Sequence, residues 1–137
     1  MEIIVNIKSF LTKHSLRITT PRLVIFEVLL ATHEPLAVSE ILQRTAGRVD
    51  RASAYRTLET FETIGVTRRI TIGWKYKIEL GEQFLDHHHH FVCLKCQKLI
   101  AIDETQVAAF IEKLSSDNGF QPVEHHFEVK GVCAECG

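Results

Sequence analysis

The apolar positions of the first half of the chain recur with helical spacing. Residues 3–13, IIVNIKSFLTK, put Ile3, Ile7, Phe10 and Leu11 on one face. In TTPRLVIFEVLLATHEP, Thr20 is the predicted cap and Pro21 the first helical residue, while Leu23, Phe26, Val28, Leu29 and Leu30 supply a surface to bury. AVSEILQRTAG predicts a short third helix capped by Ser39, with Glu40 in its first turn and Gly47 beyond its end. VDRASAYRTLETFETIG predicts a fourth helix from the N-cap Asp50 to the stop at Gly65. Ala54, Leu58 and Phe61 form its core stripe, which leaves Arg51, Tyr55, Arg56 and Glu59 on the other side. The period then changes: VTRRITI and WKYKIEL are β-rich runs separated by Gly73, the signature of a hairpin. Short helices followed by a β-hairpin are the order of a winged helix-turn-helix.

A different pattern follows. HFVCLKCQKLIAI reads as strand, knuckle turn, strand. ETQVAAFIEKLSSDNG reads as a helix with Val107, Phe110, Ile111 and Leu114 inward. FQPVEHHFEVKGVC reads as a last strand with Val123, His125, Phe127 and Val129 on one face. The predicted fold class is α+β: a winged-helix domain over residues 1–80, a hinge at 81–86, and a small αβ domain with an antiparallel sheet over 87–137.

Composition adds little, but its distribution adds much. At 137 residues, 45% hydrophobic and 24% charged, the chain reads as globular. No apolar run approaches the roughly 20 residues of a membrane span, and IIVNIKSFL is too short and too interrupted for a secretory leader. The expectation is a cytoplasmic protein with no membrane partner. Net charge is −1, yet residues 1–80 hold 12 Lys/Arg against 8 Asp/Glu, and residues 81–137 hold 4 against 9. A basic half joined to an acidic, histidine-rich half suggests a polyanion-binding domain beside a cation-binding one.

All four cysteines lie in the acidic half, as Cys93-x-x-Cys96 and, after 36 residues, Cys133-x-x-Cys136. Two such turns can complete a tetrahedron around Zn²⁺. With four protein ligands the site would have no open position, so its role would be structural, pinning the C-terminus to the first hairpin of a domain too small to manage without a staple. The competing reading is a pair of redox-active dithiols. Four consecutive histidines, His87 to His90, precede the first pair. A tag is excluded by their internal position. On an extended strand His88 and His90 face one way and His87 and His89 the other, so one run can feed two sites suited to Zn²⁺, Fe²⁺ or Mn²⁺.

These stretches together resemble the ferric uptake regulator family of metal-dependent bacterial repressors. The resemblance is carried by RITTPRLVIFEVL, ASAYRTLETFETIGVTRR, YKIEL, HHHHFVCLKCQKLI, Gly119-Phe120 followed by His125, and CAEC. It implies a homodimer formed by the C-terminal domain, operator DNA as partner, and metal-controlled repression. It also implies a regulatory metal site between the domains formed by Glu79, His88 and His90. A fourth ligand is expected from a histidine just after the second helix, where His33 stands about two residues early and Pro35 takes the usual place. Ala101 stands where a carboxylate is often found, so either His33 reaches by a different loop path, or Asp103, Glu104 or a water substitutes. A second site is implied for His87, His89 and His125, with histidine at 89 where many members have aspartate. Its usual helix glutamate is Ala108 here; Glu104, one turn earlier, is the nearest replacement, and His126 is a further candidate. The alternative for this group is a hydrogen-bonded polar cluster without metal.

The fourth helix is then the recognition helix. By resemblance Tyr55 contacts base edges and Arg56 the backbone, Arg51 and Ser53 lie in the turn nearest the groove, and Arg17, Lys75 and Lys77 are phosphate or minor-groove contacts. Competing readings are a metal-storage or trafficking protein, a zinc hydrolase, for which no HExxH-like motif is present, and a peroxide-sensing member of the same family. No enzymatic activity or small-molecule substrate is expected. The absence of a further cysteine points toward iron or manganese as the sensed metal, and the four histidines point back toward zinc.

Overall fold

The computed structural model describes residues 2–32, 34–84 and 88–137, with side chains from Ile7 onward in the first helix. His33, His87, and residues 85 and 86 of the expected hinge lie outside the described residues, as does the Ile3 side chain. The chain divides into two compact units, Met1–Leu85 and Asp86–Gly137. No helix among the described residues is long and apolar enough to cross a membrane.

The first unit contains helices α1 (Glu2–Lys13), α2 (Thr20–Ala31), α3 (Val38–Arg44) and α4 (Arg51–Ile64), then strands β1 (Thr67–Ile72) and β2 (Lys75–Leu80). Its core draws on all four helices and β2: Ile7 and Leu11 of α1, Ile25 and Phe26 of α2, Ile41 of α3, Ala54 and Phe61 of α4, and Ile78 and Leu80 of β2. The strands pair antiparallel with Thr67 opposite Leu80, and a bridge from Leu36 to Ile78 ties the α2–α3 connection to the hairpin. Asp50 caps α4 as predicted, accepting a bond from the Ser53 N–H, and Gly65 ends it at φ +84°, a left-handed conformation that disfavours a side chain.

Two caps differ from the sequence reading. The cap of α2 is Thr19, whose hydroxyl accepts the Arg22 N–H, so Thr20 is already helical and Pro21 second. At α3 the cap is Ala37, and Ser39 lies inside the helix. The Glu40 carboxylate accepts the Ala37 N–H at 3.0 Å, replacing the hydroxyl that Ser39 was expected to supply. The hinge reading also changes. Phe84 packs on Phe10 and Phe26, with ring centroids 5.5 and 5.1 Å apart, so residues 81–84 fold onto the first unit.

The second unit contains β3 (His88–Cys93), β4 (Leu99–Asp103), α5 (Glu104–Asp117) and β5 (Glu128–Gly131), in sheet order β4-β3-β5. The β3–β4 pair is antiparallel, as expected, and β5 runs parallel to β3. The last strand is shorter than predicted. Val123 is fully exposed and only residues 128–131 join the sheet, because Pro122 removes a donor and the β3 edge is met only from Glu128 onward. On α5, Val107 is buried, but Phe110 and Leu114, expected inward, are 57% and 50% exposed. A single three-stranded sheet offers too little surface to cover a whole helix face.

Phe61 is fully buried among the helices of the first unit. Phe61→Ala should cost that unit about 3–5 kcal/mol, measured by urea unfolding, while the second unit's fold is retained.

Candidate metal and nucleic-acid sites

The sulfur site is built by two tight turns. After β3, the Cys93–Cys96 knuckle closes with the Gln97 N–H on the Cys93 carbonyl at 2.9 Å and Gln97 at φ +65°. At the C-terminus the Cys136 and Gly137 N–H groups bond the Cys133 carbonyl at 3.1 and 3.0 Å. One ligand atom from each cysteine lies within 4.8 Å of all the others. Cys96 and Cys133 are 3.7 Å apart, sulfur to sulfur. A tetrahedron with Zn–S bonds of about 2.3 Å has edges of about 3.8 Å, so the four thiols fit a zinc ion as they stand. Their polarity agrees. The backbone N–H groups of Cys96 and Cys133, both 3.4 Å from Cys93 Sγ, hold that thiol down at about 6. Beside Cys133, and next Cys96, the Cys136 thiol is pushed up to about 12. Four thiolates repel one another, and a divalent cation is what relieves that repulsion.

The histidine strand is two-faced, as its alternation requires. His88 and His90 bring their rings to 4.7 Å, edge to face. His89, nearly buried, turns to the other side and meets Glu104 and His125. Its Nε2 contacts Glu104 Oε2, and His125 Nε2 lies 3.0 Å from Glu104 Oε1. Glu104 reaches them because α5 starts there: Asp103 caps the helix, accepting the Thr105 N–H at 2.7 Å, and the next residue projects its carboxylate toward β3. Glu104, one turn before Ala108, thus lies with His89 and His125, whereas Asp103 is engaged as a cap. That bond from the Thr105 N–H keeps the Asp103 carboxyl below its ordinary value. His126 is exposed and pairs with Glu124, away from this group.

Glu79 is the penultimate residue of β2 in the first unit and is only 5% exposed. Sequence reading passed over its partner. Arg68 lies directly across the hairpin and places Nε 2.7 Å from Glu79 Oε1, with Nη1 3.9 Å from Glu82. The signal was available: with a turn at Gly73-Trp74, Ile72 pairs with Lys75, and counting back sets Arg68 against Glu79.

On α4 the predicted contact residues are exposed or half-exposed, and they also touch one another or the helix cap. The Arg51 guanidinium lies 5.8 Å from the Tyr55 ring centre. Ser53 donates its hydroxyl to Asp50 at 2.6 Å and accepts from Arg56 at 3.3 Å, so it stiffens the first turn. Arg17 offers its carbonyl to Arg22 at 2.6 Å, while Lys75 is exposed and Lys77 half-exposed on β2. A groove of about 540 Å³ runs beside α4, lined by Thr19 and Arg22 of the α2 start and by Ser53 and Arg56.

A helix that exposes Tyr55 and Arg56 on a winged scaffold, carried with a thiolate cluster and a two-faced histidine strand, defines a DNA-binding regulator that responds to metal. The sequence matches the ferric uptake regulator family over residues 13–130. It is 33% identical over 129 residues to the ferric uptake regulation protein of Neisseria meningitidis serogroup A, covering 88% of this chain and 86% of that protein. In structure it is similar to the Helicobacter pylori ferric uptake regulator, reported to have three functional metal-binding sites, with a TM-score of 0.81 at 20% identity over 98% of this chain and 91% of that one. It is also similar to the Pseudomonas aeruginosa regulator solved with manganese, with a TM-score of 0.74 at 23% identity over 93% and 97% of the two chains. The chain belongs to the ferric uptake regulator family and is a metal-responsive transcriptional regulator.

The cap of α4 yields a pH test. Bonds from the Ser53 hydroxyl and then its N–H hold the Asp50 carboxyl below its usual 3.8. A depressed carboxylate contributes stability above its unfolded pKa and loses it as pH falls through the folded one. Asp50→Ala should therefore melt earlier than wild type at pH 6, and the gap should shrink as pH falls below the usual carboxylate value of 3.8, as followed by circular dichroism.

Proposed function

We propose that this protein is a homodimeric repressor whose operator binding is switched by a divalent transition metal held by Glu79, His88, His90 and His33, with a separate structural zinc on Cys93, Cys96, Cys133 and Cys136. The observation that carries the reading is the two-faced β3 strand. It ends in the thiolate knuckle and presents His88 and His90 as a pair on one side, in a chain whose other unit displays Tyr55 and Arg56. Imidazole and carboxylate donors suit Fe²⁺, Mn²⁺ or Zn²⁺, and the Pseudomonas aeruginosa relative was solved with manganese. A metal bound to ligands from both units would fix the angle between them. In a dimer that angle sets the spacing of two recognition helices on one face of the duplex. Without metal only a fraction of the angles is competent, and apparent affinity falls by that fraction. Arg68 pairs with Glu79 across the hairpin, and a metal held by Glu79 would share or displace that guanidinium.

His89, Glu104 and His125, with His87, form a second candidate site. Peroxide sensing by oxidation of an iron-bound histidine is the alternative signal within the same family. The homodimer reading is supported by the apolar surface that the second unit leaves uncovered: Phe91, Ile100, Phe110, Leu114 and Val132 are each 45% exposed or more. A patch of that kind on so small a unit marks an association surface. Within the DNA reading, Tyr55 packs on base edges, Arg51, Ser53 and Arg56 line the groove approach, and Arg17, Lys75 and Lys77 meet phosphate.

The test uses a duplex recovered from a randomised pool on metal-loaded protein. His88→Ala and His90→Ala should each keep one zinc per chain by elemental analysis and remain dimeric, yet lose the metal dependence of duplex protection in footprinting. Unchanged metal dependence in either variant would move the regulatory site to the His89–Glu104–His125 group.

A further inference from the structure

We propose that Trp74, at the tip of the β1–β2 hairpin, is an additional DNA-contacting side chain. Its indole packs on the sugars and base edges of the groove that flanks the one read by α4. The inference rests on the DNA-binding reading above and adds to it a contact that the recognition helix cannot make.

The tip is well defined. Ile72 and Lys75 pair as the last rung of the ladder, leaving Gly73-Trp74 as a two-residue turn. Gly73 has φ +60°, and Trp74 is not in the left-handed region. A glycine at the first central position is the requirement of a type II′ turn, whose twist matches that of the strands. The hairpin below is anchored by buried Ile70, Ile72 and Ile78. The largest apolar side chain available is therefore held out on a stiff arm, and Trp74 is fully exposed.

Single exposed apolar residues are common, so exposure alone decides nothing. The surroundings decide it. The other cations of the hairpin are engaged, Arg68 with Glu79 and Glu82, and Arg69 with Glu62. Among the described residues, no ion pair involves Lys75 or Lys77, the two cations nearest the indole. A rigid aromatic wedge beside two available ammonium groups matches a phosphate-lined groove, where apolar wedges and Lys/Arg act together.

Position selects DNA over other polyanionic surfaces. The hairpin packs beside the contact helix: Arg69 and Tyr76 of the strands line one groove with Tyr55 and Glu62 of α4. The tip lies two residues past Tyr76, roughly 7 Å at strand rise. That is about half the width of a major groove of roughly 12 Å. With α4 seated in the major groove, an arm of that length reaches the bordering phosphate ridge and the minor groove beyond it.

Trp74 is the one tryptophan in the sequence, so it reports on itself. The probe is the duplex selected from a randomised pool, with Mn²⁺ present throughout. Adding the duplex to wild-type protein should shift the emission to the blue and lower acrylamide quenching at least about twofold. Trp74→Ala should bind the duplex roughly tenfold more weakly, in the range found when a base-stacking aromatic is removed, and Trp74→Phe should recover most of the loss. The proposal is overturned if the indole stays accessible in the complex or if the alanine variant binds as wild type does. It is equally overturned if the emission responds to protein concentration alone, which assigns the tip to a second copy, or to phosphatidylserine vesicles and not to the duplex. If metal-loaded wild-type protein selects no duplex at all, the DNA-binding reading fails first, an outcome distinct from the others.

Discussion

The second unit depends on four sulfur atoms that the chain gathers from its two ends. Among the described residues this unit buries only Val92, Cys93, Ile102 and Val107 as apolar side chains, far too few to repay the ordering of some fifty residues. The two knuckles supply what the core lacks. One closes directly after β3, and the other brings residues 133–136 back to it, with the Leu94 N–H bonded to the Gly131 carbonyl at 2.8 Å as β5 arrives. The register of β3 follows from that anchor. With Cys93 fixed, His90 and His88 must share a side, and His89 must turn to the opposite one. The chemistry of the histidines is thus set by the placement of the cysteines.

Charge organises the first unit in the same way. A carboxylate as buried as Glu79 requires a cation, and the hairpin delivers one by placing Arg68 directly opposite it. The wing therefore carries a desolvated carboxylate that the facing strand holds in place with a cation. Tyr55 and Arg56 need no such arrangement. They sit on a helix stiffened at its start by Asp50 and Ser53, and they remain open to solvent.

Much of this was legible in the sequence where the signal is local. The helix stripe Ala54, Leu58 and Phe61, the Asp50 cap and the Gly65 stop each depend on residues within a few positions. The paired cysteines are legible for the same reason, since each knuckle is four residues long and chemically specific. What the sequence left ambiguous required partners distant along the chain. The cap at α3 is Ala37, whose N–H the Glu40 carboxylate reaches back to accept, and Ser39 lies inside the helix. The final strand begins at Glu128, opposite His90, after a segment in which Pro122 lacks an N–H to donate. Phe110 and Leu114 read as core, since their spacing cannot say whether the surface they cover belongs to the same chain. Arg68 was missed because a cross-strand pair is visible only once the turn has been placed.

The central claim is that metal and DNA bind to one equilibrium between competent and incompetent arrangements. Linkage then requires reciprocity: the duplex must tighten metal binding by the same factor by which metal tightens duplex binding. The most direct measurement is the affinity of zinc-retaining protein for Mn²⁺, by competition with a chelator, with and without saturating selected duplex. The account predicts a tightening of roughly 5- to 150-fold, the usual span of such coupling, equal to the factor found for the duplex with and without Mn²⁺. A metal affinity indifferent to the duplex, in protein whose duplex binding still requires metal, would contradict it.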